Sequence, residues 1–150
     1  GQPKRPPRSE LNAKNATWAE TMLAARANHA TCTIAGDRID REALRSFLLS
    51  REEFIIRLVE NPMVFEHESF TGLILAINHL TEELKARQDL SALPPADINH
   101  LSSDIQRVYA LLVPEWLKYM EYLKNHYPYL FSLAMRTNPF DESASVVVRG

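Results

Sequence analysis

The sequence has a single cysteine, Cys32, so it cannot close a disulfide on itself and is not a disulfide-stapled scaffold. Only 4 of its 150 residues are glycine, which argues against a fold built on tight hairpin turns. Excess charge of one sign is also missing. Seventeen basic and 19 acidic residues leave a formal net charge of -2, so no global positive field marks a nucleic-acid binder. Long apolar runs are absent too. The longest stretch without Asp, Glu, Lys or Arg is the 13 residues from Ser69 to Thr81, which include Asn78 and His79. That falls well short of the roughly 20 apolar residues that span a bilayer. No glycine-rich phosphate loop, Gly-x-Ser-x-Gly elbow, His-Glu-x-x-His or paired Cys-x-x-Cys is found.

The remaining composition is that of a globular chain, 45% hydrophobic and 24% charged. A domain of this length buries roughly 70% of its unfolded surface and needs no staple. Leu and Ala together number 35, against 22 for Val, Ile and Thr, which favours helix over strand. The expected fold is all-α: a single-domain bundle of about five or six helices, one of them long and kinked by proline. Residues 1–8 read as a disordered basic leader with Lys4, Arg5 and Arg8, residues 9–140 as the bundle, and residues 141–150 as a flexible tail.

Helical spacing of Leu11, Trp18, Met22 and Ala25 predicts a first helix from Ser9 to about His29, followed by an extended connector over Ala30–Gly36. Asp40 is placed to cap a helix through Leu44, Phe47 and Leu48. Ser50-Arg51-Glu52-Glu53 then matches a capping box, with Leu49 and Phe54 as a hydrophobic staple, and predicts a bend near Ser50. An unbroken helix from Arg41 to Glu60 is the alternative. Phe70, Leu73, Ile74, Ile77, Leu80 or Thr81, and Leu84 define the apolar face of a helix over about His67–Arg87. Pro95 suits a first helical turn, and Ile98, Leu101, Ile105, Val108 and Leu112 form a seam that wants to lie along another helix. Pro114 should kink that helix as it continues through Met120 and Leu123, and Tyr127-Pro128 opens a last short helix to Arg136. Val146, Val147 and Val148 could pair as an edge strand.

Two groups of residues carry potential chemistry. Eight of the 13 aromatics lie between Tyr109 and Phe140, and Trp116, Tyr119, Tyr122, Tyr127, Tyr129 and Phe131 make a candidate interaction surface for a protein partner or for self-association. The second group is the run of acids and imidazoles at Glu66, His67, Glu68, His79, Glu82 and Glu83. Glu68 and His79 are eleven residues apart, about 16 Å along one helix, so they cannot share an ion. His79 with Glu82 or Glu83 can meet on one turn, with His67 or His100 joining from a neighbouring helix, and that set is the alternative metal site. No Glu precedes a histidine by three residues as in carboxylate-bridged bundles; Asp97-Ile98-Asn99-His100 is the nearest imitation. The expectation is therefore no metal and no cofactor, with the acids and imidazoles scattered over the outside. Cys32 near His29 lacks the oxyanion donors of a thiol catalyst. The sequence reads as a non-enzymatic interaction or regulatory domain, with a small metal- or ligand-binding bundle as the alternative.

Glu60-Asn61-Pro62, the run from Glu66 to Thr71, the run from His79 to Leu84 and the run from Tyr127 to Asp141 resemble blocks in the soluble tail of small prokaryotic membrane proteins, some of them ion-channel-like. The resemblance covers about Arg41 to Asp141 and implies a helical soluble domain that can follow a membrane anchor; the expected location is cytoplasmic, with tethering to a membrane an option for the full-length protein. On that reading, residues 1–8 are the juxtamembrane strip beside anionic lipid. It implies no catalytic residue.

Overall fold

The computed structural model describes Trp18, residues 39–139 and residues 144–148. The described residues form five α-helices and a 3-10 turn, with no strand, as the composition predicts. The basic leader, the predicted connector and the first predicted helix, apart from Trp18, lie outside the described residues.

Helix α1 is Arg41–Ser50, and its N-cap is Asp40, whose carboxylate accepts from the Ala43 N–H at 2.9 Å. The chain breaks at Arg51 and α2 follows as Glu52–Glu60, so the predicted bend is real and the unbroken helix is not. Its predicted cause is not. Ser50 does not cap α2; its hydroxyl donates back to the Phe47 carbonyl at 2.6 Å, and α2 begins without a side-chain cap. Asn61-Pro62 ends α2, and a 3-10 turn at Val64–Glu66, unforeseen from sequence, leads into α3 at Glu68–Ala86. Thr71 ties this junction by donating from Oγ1 to the Val64 carbonyl at 2.7 Å.

Helix α4, Pro95–His126, starts at the predicted proline and runs through Pro114. Helix α5, Pro128–Arg136, also opens on proline, where the missing N–H costs no intrahelical bond. Residues 144–148 form no strand, and all three valines are exposed.

The chain divides into two compact units, Thr33–Glu115 and Gly1–Cys32 with Trp116–Gly150. In the first, α3 packs on α1, α2 and the 3-10 turn. Leu48, Leu80, Leu84, Leu90 and Leu101 close its core, with Ile77, Ile105 and Val108 against them. Every predicted apolar position of α3 is buried or half-buried. The second unit is built on Trp18, Met120, Leu123, Phe131 and Met135. Trp18 meets Phe131 edge-on at 5.6 Å and donates its indole N–H to Glu121 at 3.1 Å, so its polar atom is satisfied inside an apolar cluster.

Candidate functional site

The unit Thr33–Glu115 carries two features that packing alone does not require. One is an apolar groove of about 550 Å³. Its walls are Leu44, Phe47 and Leu48 of α1, Phe54 and Ile55 of α2, Ile77 and Leu80 of α3, and Ile105, Val108, Tyr109 and Leu112 of α4. Arg51, at the break between α1 and α2, is the one ionised group in the lining, and its guanidinium stands 5.8 Å over the Phe47 ring. Phe47, Phe54 and Leu112 are exposed, so the groove opens to solvent through large apolar side chains. The predicted α4 seam is divided: Leu101 is sealed in the core, while Ile105, Val108 and Leu112 face the groove.

The other is polar and lies where α3 meets α4. His79 and Glu83 are one turn apart on α3, and His100 and Asp104 are one turn apart on α4. His79 Nε2 is 3.6 Å from Glu83 Oε1 and 3.4 Å from Asp104 Oδ2. His100 Nε2 is 3.3 Å from Glu83 Oε1 and 3.4 Å from the same Asp104 oxygen. Residue 79 thus faces 104 and residue 83 faces 100, so the two strips run in opposite directions. Both imidazoles are half-exposed, whereas Asp104 is only 3% exposed, and its Oδ2 is buried without a hydrogen-bond partner.

Two arginines hold the carboxylates from behind. Arg107 donates to Asp104 Oδ1 at 2.8 Å. Arg87 donates to Glu83 Oε2 at 2.8 Å and grips Asp97 through two bonds of 2.7 and 2.6 Å. Arg87, with His100 beside it, holds the Glu83 carboxyl below the ordinary carboxylate range, and Arg87 does the same for Asp97. The guanidinium of Arg87 is itself pushed higher by Asp97 and Glu83.

The acids and imidazoles are therefore not all scattered. The structure brings His79 and Glu83 together as the alternative sequence reading allows, and it brings in His100. Glu82, one residue earlier than Glu83, faces solvent, and His67 sits exposed at the start of α3. Asp104 was missed, although a sequence signal existed: His-x-x-x-Glu at 79–83 and His-x-x-x-Asp at 100–104 repeat one pattern on two helices. Of the aromatic residues singled out from sequence, Phe131 is 4% exposed and Trp116 half-buried, both packed with Trp18. Tyr119, Tyr122, Tyr127 and Tyr129 are exposed, and Tyr122 stacks on His126 at 4.5 Å. Phe140 lies outside the described residues.

Residues 7–136 match the family described as "Uncharacterized protein MJ1433, C-terminal helical domain". The protein called "Uncharacterized protein MJ1433", from Methanocaldococcus jannaschii, is 50% identical over 116 residues, which cover 77% of this chain and 47% of that protein. The chain thus spans about half the length of this curated relative. No solved structure matches it. With an all-α architecture among the described residues and a match across most of the chain, the protein belongs to the family of the MJ1433 C-terminal helical domain.

Proposed function

We propose that this domain is a non-enzymatic interaction module that receives an amphipathic helix of a protein partner in the groove between α1, α2, α3 and α4. The observation carrying this reading is the groove itself: an open, apolar trough whose rim exposes Phe47, Phe54 and Leu112. Contiguous exposed apolar side chains mark docking surfaces on soluble domains. A partner helix would seat apolar residues spaced by three and four. Arg51 supplies the matching polarity, because no carboxylate is paired with it among the described residues and the rest of the lining is uncharged. The occupant therefore carries an acidic residue at the end of its apolar face that reaches Arg51.

A fluorescent synthetic helix with leucines at i, i+4 and i+7 and a terminal glutamate tests the reading by anisotropy. Saturable binding is expected, weakened at least tenfold by Phe54→Asp and by Arg51→Glu, two exposed positions whose substitution leaves helicity intact by circular dichroism. Absence of saturable binding, or binding indifferent to both substitutions, would overturn it. The exposed tyrosines of the other unit remain a second surface for a protein partner or for self-association. Light scattering of Tyr122→Asp and Tyr129→Asp reads self-association there. Membrane proximity belongs to the same proposal. It rests on the resemblance to tails of membrane proteins and on Lys4, Arg5 and Arg8, and it requires an apolar run of about 18 residues or more elsewhere in the full-length protein. No described helix is long and apolar enough to cross a membrane.

A further inference from the structure

The geometry points to a binding site for one divalent transition-metal ion of the zinc class, held by His79, Glu83 and Asp104 between α3 and α4, with His100 positioned beside the two carboxylates. It stands independently of the groove, on a different face of both helices.

The distances carry the first part of the inference. Four imidazole–carboxylate separations link the donors in a closed circuit, and all lie between 3.3 and 3.6 Å. Such contacts are long for charge-assisted hydrogen bonds, which settle near 2.8 Å. They match the spacing of adjacent ligands around an ion, since donors about 2.0–2.1 Å from a zinc stand roughly 3.3 Å from one another. One donor each from His79, Glu83 and Asp104 falls within a mutual distance of 4.8 Å; His100 stands beside this set, against Glu83 and Asp104.

Burial carries the second part. Asp104 Oδ2 is enclosed and accepts no hydrogen bond, although a buried carboxylate oxygen without a partner is expensive. It is aimed between the two Nε2 atoms. A cation there would satisfy this oxygen and the inner oxygen of Glu83 together. The outer oxygens are engaged, Oδ1 by Arg107 and Oε2 by Arg87, which leaves Asp104 Oδ2 and Glu83 Oε1 facing the imidazoles. Arg87 and Arg107 are positioning residues for the site.

Donor chemistry and topology name the occupant. Imidazole nitrogen with two carboxylate oxygens suits zinc and its first-row neighbours; calcium and magnesium take oxygen ligands only. His79 and Glu83 come from α3 and Asp104 from α4, so the ion would join the two helices. It would fix the two helices that present Ile77, Leu80, Ile105 and Val108.

The rival account is an ordinary network of histidines and carboxylates. Calorimetric titration of the tag-free, chelator-treated chain with Zn2+ separates the two. One site per chain is expected. His79→Gln and Asp104→Asn should each weaken it at least tenfold, while His67→Gln and His126→Gln leave it unchanged. Co2+ should give the intense visible absorption of tetrahedral cobalt, lost in the His79→Gln variant. His79 is half-exposed, so its substitution keeps the fold, checked by circular dichroism. Lack of a saturable one-to-one site, or binding unmoved by His79→Gln, would overturn the inference.

Discussion

Arg87 does more than any other single side chain to organise the junction of α3 and α4. It reaches back one turn to Glu83 and forward across the loop to Asp97, and it also donates to the Glu83 carbonyl at 2.5 Å. Because Arg87 depresses the carboxyl groups of Glu83 and Asp97, the sign of the pH effect follows. A carboxylate whose folded value lies below its unfolded value stabilises the fold above about pH 4 and loses that contribution as pH falls through the folded value. Arg87→Met is therefore expected to lower the melting temperature at pH 7, and the gap to the native chain should narrow below about pH 4. Thermal unfolding followed by circular dichroism at several pH values checks this; a gap of constant size would show that Arg87 acts through packing instead of charge. At this scale the sequence was only partly informative. An arginine four residues after a glutamate is visible as a helical pair, but the bond to Asp97 depends on how the loop returns the chain.

Among the elements, α3 was the most legible, because its apolar residues recur at helical spacing over about four turns, from Phe70 to Leu84. Leu84 is fully buried in its core, while Leu75, on the same helix, is exposed. Leu84→Ala should cost about 2–5 kcal/mol, and Leu75→Ala should stay within about 0.5 kcal/mol, both read from urea unfolding. Equal losses would mean that α3 is not seated as described. Helix ends were less legible than helix faces. Asp40 caps α1 as its type predicts, but Ser50, with the same apparent qualification, bonds to the carbonyl of Phe47. A hydroxyl has several local acceptors within reach, so a capping motif names a candidate and the backbone chooses among its options.

At the level of the whole molecule, α4 supplies residues to two hydrophobic clusters that share no member. Leu84 and Leu101 belong to one of them and come from consecutive helices, α3 and α4. Since each fills space the other helps to close, Leu84→Ala and Leu101→Ala should depart from additivity by about 0.5 kcal/mol or more in a double-mutant cycle. Strict additivity would argue that the two leucines do not share a core. The same packing sets which polar residues meet. With Leu80 and Leu84 of α3 closed against Leu101 of α4, the neighbouring strips are brought edge to edge and His79 finds Asp104.

Helix content and the inward face of each helix follow from composition and from spacing within a few residues, where the chain has no freedom to rearrange neighbours. The pairing of faces is different, because one oily stripe is nearly as good a partner as the next. Leu101 and Ile105 look alike along the chain, yet one is sealed and the other lines an open groove. His79 and Asp104 are 25 positions apart, and the His-x-x-x-Asp spacing at 100–104 does not say which helix that face will meet. The burial of Asp104, its unpartnered oxygen and its two imidazole neighbours exist only once long-range packing has fixed the register of α3 on α4.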